Sequence, residues 1–370
     1  MSDKRTYVLY SELQEIEKKY DLNYLIIYGG RNDGKSYAAK EKALRDYFDH
    51  GAEFSYLRRY DSDVKRNSDN TLYFADFMTG KPNKIQELSG KAWDGIKADK
   101  GRFWLYTLDD AGKQQTGPAI GYIHALSIAD KRYKSLQFPE VETVIYEEFC
   151  TGGGDYLYNE SRLFNNYIST IARDRRISVY MIGNTISRHN VFFREWEMVN
   201  IPKQKPGTVD VYSYDNDGVI IRVGAYYTNA IKQNKMFFGH GSKMITGGEW
   251  DSTEQPKLER PESDYMEVYR VILEIDFNNR FMCRFMCRDM VGVWYITPKT
   301  TPPKDTDRII SPTPRESLLY TNSFIPINDA ERKLFPYLQM GRIAYSDNLT
   351  GTEFKRGMAQ LSTINGFHAE

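Results

Sequence analysis

The length, charge balance and cysteine content of the chain limit the classes of protein to which it can belong. At 370 residues it exceeds the size at which a single hydrophobic core stops growing, so we expect two domains. Its 50 basic and 50 acidic residues balance, which argues against a surface that coats nucleic acid everywhere but leaves room for a local basic face. The 3 cysteines cannot build a disulfide framework, and no apolar run is long enough to span a bilayer. We expect a soluble protein of a reducing compartment, made without a signal peptide.

The N-terminal part of the chain predicts a helix, a strand and a glycine-rich loop. Ser11 and Gln14 have capping-box spacing, which predicts a short helix over residues 11–20. The apolar run 25–27 then predicts a strand, and residues 29–36 have the spacing of a P-loop. In such a loop the glycines let backbone N–H groups surround phosphate oxygens at the start of a helix. A glycine-rich turn that binds nothing is the alternative.

Individual positions of the predicted P-loop have roles in nucleotide binding. Lys35 would reach the terminal phosphates, and the Ser36 hydroxyl would bind magnesium. The helix that follows the loop adds its positive N-terminal dipole. The residues of this segment assigned to the nucleotide are Gly29, Gly30, Arg31, Asn32, Asp33, Gly34, Lys35, Ser36 and Tyr37.

The next predicted elements are a strand that ends in basic residues and a β-hairpin. Residues 53–57 predict the strand, which leads into Arg58. Open α/β sheets bind ligands at the carboxyl ends of their strands, so basic side chains there could face phosphate; a solvated loop with ordinary surface charge is an equal alternative. Residues 102–108 and 120–126 predict the arms of the hairpin, with a long tip. His124 in the second arm is expected to be a packed core residue.

A second motif follows an apolar, β-branched strand that is predicted over residues 141–146 and ends in Glu147 and Glu148. In P-loop ATPases one acid at such a strand end holds magnesium through water, and a second orients the attacking water. Since neighbouring residues at a strand end point differently, we assign Glu147 to the metal and Glu148 to catalysis. Most such enzymes have Asp at the first place, so a water or a small backbone shift must absorb the extra methylene of Glu147. Two exposed acids that simply end a strand are the alternative.

The segment after the acid pair predicts a helix over residues 159–172 and a further strand over residues 177–183. We predict that this strand lies between the P-loop strand and the acid-bearing strand. Asn184 at its end could then form a hydrogen bond near the γ-phosphate and report hydrolysis. Arg173 at the helix end could serve a neighbouring subunit as an arginine finger, which stabilises charge on the transferred phosphoryl group. A surface salt bridge is an equal alternative for Arg173.

The pattern changes after residues 1–205, which we take as the first domain. Residues 206–258 predict a linker subdomain with a strand pair, and residues 259–370 predict a C-terminal domain that contains a β meander. On the middle strand of this meander Cys283 and Cys287 share one face with phenylalanines. We therefore expect both cysteines to be small core residues and not metal ligands.

Taken together, these features resemble the phi-twenty-nine-like DNA-packaging ATPases of small tailed phages, which are related to the large terminase ATPases. The P-loop and the acid pair are general, whereas their order and spacing with the other features are more specific. The matching features are the P-loop at residues 29–36, Leu-Arg-Arg-Tyr at 57–60, the hairpin at 102–126, the basic run at 131–134, the acid-bearing strand, and Arg173 followed by a strand that ends at Asn184.

The resemblance implies an α/β fold: a P-loop NTPase domain of the ASCE type with a parallel sheet, followed by a small α+β domain of degenerate ribonuclease-H-like fold. It also implies hydrolysis of ATP with Mg²⁺, which drives double-stranded DNA into a viral procapsid. The subunits would form a pentameric ring at the portal in the host cell cytoplasm. A packaging RNA would join them in phages that have one, and no membrane would be involved.

The resemblance further assigns roles to individual residues. The residues expected in catalysis are Lys35, Glu148, Arg173 and Lys134. The residues expected at the magnesium ion are Ser36 and Glu147. Within the catalytic set, Arg173 would be the finger that acts on a neighbour, and Lys134 a second basic group near the neighbouring site. A translocase must hold DNA phosphates without reading sequence, and the residues expected to do so are Arg58, Lys65 and Arg66.

Two alternative functions stay open on the sequence alone. Large terminases carry a nuclease that cuts DNA with clustered acids on two metal ions. Here Asp276 and Asp289 are the only acids at plausible strand ends of the meander, so a terminase with an active nuclease is less favoured than a domain that docks on capsid, DNA or RNA. The other alternative is a nucleotide-dependent scaffold or switch, in which ATP orders a docking surface without turnover driven by DNA.

Overall fold

The computed structural model arranges the chain as two β-sheets with helices packed against them. It describes residues 7–64, 69–151, 155–188, 190–229, 250, 252–276, 279–311, 320–321, 326 and 328–365. The strands of the first sheet are β1 (Tyr24–Gly29), β2 (Glu53–Arg58), β3 (Gly95–Asp99), β4 (Arg102–Leu108), β5 (Gln114–Ala125), β6 (Val141–Glu147), β7 (Ser178–Asn184), β8 (Thr208–Asn216) and β9 (Val219–Tyr227). The strands of the second sheet are β10 (Met266–Asp276), β11 (Asn279–Arg288), β12 (Val291–Pro298), β13 (Ile309–Ile310), β14 (Tyr320–Thr321) and β15 (Ile343–Tyr345).

Helices cover the sheets and connect their strands. The α-helices are α1 (Tyr10–Tyr20), α2 (Lys35–His50), α3 (Lys84–Leu88), α4 (Ala129–Arg132), α5 (Glu160–Ala172), α6 (Val191–Glu195), α7 (Asp329–Leu334), α8 (Pro336–Gln339) and α9 (Asn348–Asn365). Short 3₁₀ helices span Asp61–Asp63, Asp69–Met78, Leu126–Ile128, Ile201–Lys203 and Glu262–Asp264. Within the described ranges, no helix combines the length and the apolar character needed to cross a membrane.

The central strands of the first sheet run parallel, and antiparallel strands flank them on both sides. The strand order in the described residues is β3-β4-β5-β2-β6-β7-β1-β9-β8, and every pairing from β5 to β9 is parallel. On β1, Leu25 and Ile27 belong to the core that includes α1 and α2, whereas Ile26 and Tyr28 belong to the core that includes α5 and α6. A parallel sheet that is covered on both faces requires such continuous apolar strands. The predicted α/β fold is confirmed, and β7 lies between β1 and β6 as predicted.

The predicted hairpin is present, but its tip is shorter than the sequence pattern indicates. β4 and β5 pair antiparallel, and β5 already begins at Gln114. Asp109 closes the turn, because its Oδ1 accepts hydrogen bonds from the N–H groups of Ala111 (3.1 Å) and Lys113 (2.8 Å). A side chain that satisfies its own turn in this way removes the need for a long loop. His124 in β5 is buried, and this burial lowers its pKa to about 3, as expected of a core residue.

α1 begins at Tyr10, and the capping box predicted from Ser11 is wrong. The N-cap residue is Leu9, which makes no side-chain cap. The extended segment before α1 is fixed by a tertiary contact, since the N–H of Val8 donates to the carbonyl of Asp33 in the P-loop (2.9 Å). Ser11 therefore falls inside the first turn, where its hydroxyl is not in the N-cap position.

The strand pair assigned to a linker subdomain extends the first sheet. β9 pairs in parallel with β1, with Tyr24 opposite Val223 and Tyr28 opposite Tyr227, and β8 pairs antiparallel with β9. Without β9, backbone groups along one edge of β1 would lack hydrogen-bond partners. The first sheet therefore continues to Tyr227, and a division after residue 205 separates two parts of the same sheet.

The second sheet contains the predicted meander with parallel strands on both sides of it. Its order in the described residues is β14-β13-β10-β11-β12-β15. β10, β11 and β12 are antiparallel neighbours, β13 is parallel to β10, and β15 is parallel to β12. An antiparallel meander with a parallel strand beside its first strand is the arrangement expected of a ribonuclease-H-like sheet. Cys283 lies buried in this core, where burial raises its pKa to about 12, so its expected packing role is confirmed.

α9 contacts both parts of the chain. Leu349 packs against the core that contains β1, whereas Phe354 belongs to the core of the second sheet. From the same helix, Arg356 donates a hydrogen bond to the carbonyl of Ile186. Ile186 closely follows the end of β7. α9, which packs on the second sheet, therefore contacts the segment that follows β7 in the first sheet.

A buried ion pair joins the residue after β2 to the start of α5. Arg59 Nε lies 2.8 Å from Glu160 Oε2, and both side chains are almost completely buried. Glu160 also accepts a hydrogen bond from the Tyr146 hydroxyl (2.7 Å). The Glu160→Ala substitution would leave the guanidinium of Arg59 buried without its carboxylate. We therefore expect the free energy of unfolding to fall by about 3–5 kcal/mol.

Urea unfolding of the full chain measures this loss of stability. Glu142→Ala is the matched control, because Glu142 is an exposed acid on β6 whose neighbour His50 is exposed as well. The control should remain close to wild type. Similar urea midpoints for the two variants would show that the buried pair does not stabilise the fold as described.

Candidate active site

The carboxyl ends of β1, β6 and β7 bring predicted nucleotide-binding residues to one edge of the first sheet. The loop of residues 29–36 connects β1 to α2. Gly34 is the N-cap residue of α2 and has a φ of 90°, a left-handed conformation that favours glycine. At Gly29 a Cβ atom would overlap the hydroxyl of Thr228, so the chain requires glycine there too. The loop ends at a helix N-terminus, a geometry that suits bound phosphate.

The hydroxyl of Ser36 and the carboxylate of Glu147 lie side by side. Ser36 Oγ is 3.1 Å from Glu147 Oε2. The other oxygen of Glu147, Oε1, is buried and has no hydrogen-bond partner among the described residues, although Lys40 Nζ lies 3.8 Å away. A hydroxyl beside a buried carboxylate with a free oxygen is the kind of oxygen donor set that Mg²⁺ prefers, directly or through water. The residues present therefore fit a magnesium ion.

Glu148 presents its side chain to solvent and is paired with Arg58. Glu148 has a φ of 59°, and it is exposed whereas Glu147 is buried. Its Oε2 lies 2.7 Å from Arg58 Nη2, and Asp63 Oδ2 lies 3.7 Å from Arg58 Nε. Arg58, a predicted DNA contact, is therefore engaged with Glu148 and Asp63 in this structure, and its contact with DNA stays a prediction. Arg58 thus holds one oxygen of the Glu148 carboxylate, while the side chain as a whole stays exposed to solvent.

Arg59 fixes the turn that carries Glu148. Its Nη1 donates to the carbonyl of Glu148 (3.0 Å), and its Nη2 donates to the carbonyl of Phe149 (2.9 Å). The pair with Glu160 holds the rest of the guanidinium. Because the guanidinium is planar and rigid, these bonds fix both carbonyls in one geometry. The position of Glu148 therefore depends on Arg59.

Lys35 is turned into the P-loop. Its Nζ lies 2.7 Å from Asp33 Oδ1 and donates to the carbonyl of Gly30. Asn184 Oδ1 lies 3.5 Å from the same Nζ, so the end of β7 reaches the P-loop lysine. Burial lowers the pKa of the Lys35 ammonium, while the carboxylates of Asp33 and Glu147 oppose that shift. The lysine is thus a desolvated cation whose nearest counter-charge belongs to its own loop.

The remaining residues predicted to contact nucleotide differ in their surroundings. Arg31 and Asn32 are exposed on the loop. Tyr37 stacks on Phe77, with ring centroids 4.2 Å apart. The predicted DNA-binding residues that lie outside the described part of the chain are Lys65 and Arg66.

Arg173 does not lie at the site of its own chain. It comes before β7, at the amino end of a strand whose carboxyl end carries Asn184. It is exposed, and its Nη2 donates to the carbonyl of Leu136 (3.2 Å). Lys134 is also exposed, in the turn after α4. A catalytic role for Arg173 would therefore be exerted on a different copy of the chain.

Several contacts of the site have no local signature in the sequence. Their partners are 90, 101 and 195 residues apart, so no short spacing links them. The one available signal is that two arginines directly follow a predicted strand next to the P-loop strand. The pairs that sequence reasoning missed are Arg58 with Glu148, Arg59 with Glu160, and Asp33 with Thr228.

The order of the motif strands defines the class of protein. The P-loop follows β1, the acid pair ends β6, and β7 lies between these strands. This fold and this site are those of a P-loop NTPase with an additional strand between its two motif strands. The family model described as Podovirus DNA encapsidation protein (Gp16) matches residues 3–252. The chain belongs to this family, which confirms the resemblance stated above.

Individual relatives agree with this assignment. The chain is 27% identical to the DNA packaging protein of Bacillus phage phi29 over 181 residues, which are 48% of this chain and 47% of the relative. It is 29% identical to the DNA packaging protein of Bacillus phage B103 over 175 residues, 46% of each chain. The chain thus spans about half the length of the curated relatives it matches.

One solved structure extends the comparison to nearly the whole chain. The bacteriophage Phi-29 viral genome packaging motor assembly contains a chain that is similar with a TM-score of 0.54 and 19% identity. The similarity covers 96% of this chain and 99% of that one. At this identity the likeness shows a shared fold.

Proposed function

We propose that this chain is a motor subunit that hydrolyses ATP to move double-stranded DNA into a viral procapsid. The observation that carries the proposal is the convergence of Lys35, the Ser36–Glu147 pair and Glu148 at one edge of a P-loop NTPase sheet. The names of the relatives support DNA packaging as the process that ATP hydrolysis drives. Two relatives are DNA packaging proteins, and a third is a component of a genome packaging motor.

ATP would bind with its phosphates at residues 29–36. The backbone N–H groups of the loop and the N-terminus of α2 face such a polyanion, and Lys35 adds a positive charge. Ser36 and Glu147 would hold Mg²⁺, which supplies positive charge at the phosphate oxygens. The 3.1 Å separation of Ser36 Oγ and Glu147 Oε2 supports this assignment.

Glu148 would orient the water that attacks the γ-phosphate and accept its proton. The carboxylate lies at the carboxyl end of β6 and is exposed, so a water can reach it. In the structure it is bound to Arg58 at 2.7 Å. Arg58 would thus hold one carboxylate oxygen and leave the other accessible to the attacking water. Asn184, 3.5 Å from Lys35 Nζ, is placed to respond to the terminal phosphate.

We further propose that the subunits act as a pentameric ring at the portal in the host cell cytoplasm. Arg173, and Lys134 as a second basic group, would then face the site of the adjacent subunit, and Lys65 and Arg66 would hold DNA phosphates. The exposure of Arg173 at the opposite sheet edge from its own P-loop supports a role toward a neighbour. A packaging RNA would join the assembly in phages that have one.

The second sheet would serve for docking and not for cutting. Glu274 is buried and paired with Arg280 (2.6 Å), and Asp289 lies exposed beside Arg288 (3.3 Å). The side chain of Asp276 lies outside the described part of the chain. In the part that is described, no three His, Cys, Asp or Glu side chains gather as a metal site, whereas two-metal cutting needs clustered acids. Plasmid incubated with the protein and Mn²⁺ should stay uncut, and linear product would support the nuclease alternative.

Displacement of a third DNA strand tests the proposed movement. A triplex-forming oligonucleotide is annealed to duplex DNA, and the ring assembled on its portal is given ATP. We expect the oligonucleotide to be released with ATP, and retained with a non-hydrolysable analogue or with the Glu148→Gln variant. A scaffold or switch would bind the DNA in a nucleotide-dependent way without releasing the strand, and that result would contradict the motor.

A further inference from the structure

Asp33 is a buried acid inside the loop that is expected to receive phosphate. Its side chain is 2% exposed, and its Oδ1 lies 2.7 Å from Lys35 Nζ. Its other oxygen, Oδ2, accepts a hydrogen bond from the hydroxyl of Thr228. Both oxygens of the carboxylate are therefore engaged, one by the P-loop lysine and one by a residue at the end of β9.

The contacts of Thr228 fix the position of the Asp33 carboxylate. Thr228 directly follows β9, is buried, and donates its N–H to the carbonyl of Tyr28 on β1 (2.9 Å). Its hydroxyl occupies the space that a side chain at residue 29 would fill, so Gly29 makes room for it. The position of the Asp33 carboxylate is thus fixed by the pairing of β9 with β1.

The negative charge of Asp33 repels the phosphate groups that the P-loop is expected to bind. A charge-assisted hydrogen bond between an ammonium and a carboxylate is about twice as strong as a neutral one. Lys35 also donates to the carbonyl of Gly30, which turns its Nζ further into the loop. A phosphate that approaches Lys35 must therefore compete with Asp33 for this ammonium, and when Lys35 turns toward the phosphate Asp33 keeps the hydroxyl of Thr228.

We propose that Asp33, held in place by the hydroxyl of Thr228, competes with the phosphates of the nucleotide for Lys35. This competition weakens nucleotide binding and speeds nucleotide release. The proposal rests on the proposed function, because it concerns the same nucleotide site. Binding would exchange one anion on Lys35 for another, and release would be assisted when Asp33 recaptures the ammonium. Asp33 and Thr228 are positioning residues in this account, since they act through Lys35.

Nucleotide binding to the purified full chain without DNA tests this competition. Fluorescent N-methylanthraniloyl ATP and ADP are titrated for affinity and then chased with unlabelled nucleotide for dissociation rate. Asp33→Asn keeps the size of the side chain but removes its charge. We expect it to bind both nucleotides about tenfold more tightly, mostly through slower dissociation. Thr228→Val should shift binding in the same direction, and Thr228→Ser should resemble wild type.

Asp46→Asn is the matched control. It removes the acid of another lysine pair on α2, Asp46 with Lys42, outside the loop, so its binding should equal that of wild type. Damage to the loop would lower affinity, so tighter binding cannot come from simple distortion. Equal or weaker binding by a folded Asp33→Asn protein overturns the proposal. If that variant does not fold, Thr228→Val decides, and unchanged or weaker binding again overturns it. If wild type binds neither nucleotide, the proposed function itself fails.

Discussion

The Glu148→Gln variant should hydrolyse ATP about 10²–10⁴ times more slowly than wild type, the range expected when a general base is removed. Gln keeps the size of the side chain but cannot accept the proton of the attacking water. Nucleotide binding should be retained, because Lys35, Ser36 and Glu147 are unchanged, and neither the Ser36–Glu147 contact nor the Lys35–Asp33 pair involves Glu148. Phosphate release measures the hydrolysis rate, and a fluorescent nucleotide titration measures the binding.

The control for this variant is Glu142→Gln on the same strand. Glu142 is exposed near the start of β6, away from the end that carries the acid pair, so its substitution should not change turnover. Wild-type hydrolysis by Glu148→Gln would assign the catalytic acid to another residue. Loss of both binding and hydrolysis would instead mean that Glu148 supports the structure of the site.

Rings that contain Arg173→Ala subunits should lose most of their turnover. An arginine finger supplied by a neighbour accelerates phosphoryl transfer by about 10³–10⁵-fold, and Arg173 is exposed at the sheet edge opposite its own P-loop. A site whose neighbour lacks the finger should therefore be nearly inactive while it still binds ATP. In mixed rings, active sites should be lost in proportion to the neighbouring variant subunits.

Mixing two variants separates action on a neighbour from action within one chain. A ring of Glu148→Gln and Arg173→Ala subunits should recover turnover at sites where an intact Glu148 meets an intact Arg173 from the next copy. Arg176→Ala is the control, because Arg176 is held by Asp21 (2.7 Å) and by the carbonyl of Leu22 (3.0 Å) of its own chain. Wild-type turnover in pure Arg173→Ala rings would contradict the assignment.

The parts of the site that the sequence predicts are those whose chemistry requires given residue types at fixed local spacing. The P-loop needs its glycines, lysine and hydroxyl within one short loop, and the acid pair must follow an apolar strand. Asn184 could be placed because a third strand had to lie beside these two. Local spacing thus predicts the strands of the site and the polar residues at their ends.

Contacts between distant segments could not be predicted in this way. Arg58 is read from the sequence as a basic residue at a strand end, a position suited to DNA phosphate, yet the fold brings it to Glu148. The same holds for Asp33, which looks like an ordinary loop residue until β9 places Thr228 beside it. Both outcomes depend on which strands pair, and that is decided by burial over the whole sheet.

The extent of the first sheet is a further feature that the sequence pattern does not show. The change in composition after residue 205 suggests a boundary, but β1 needs a hydrogen-bonded neighbour on its free edge. β9 supplies it, with Val223 and Tyr227 buried against the same core as Tyr28. Backbone hydrogen bonding, which leaves no mark in composition, decided where the strand pair belongs.

The rate of phosphate release by the assembled motor, measured with and without duplex DNA, tests the central claim most directly. We predict that the wild-type chain hydrolyses ATP in the presence of Mg²⁺, that duplex DNA raises the rate, and that Glu148→Gln abolishes the increase. A chain that releases no phosphate, or releases it at the same rate with and without DNA, would contradict the proposal that ATP hydrolysis at this site moves DNA.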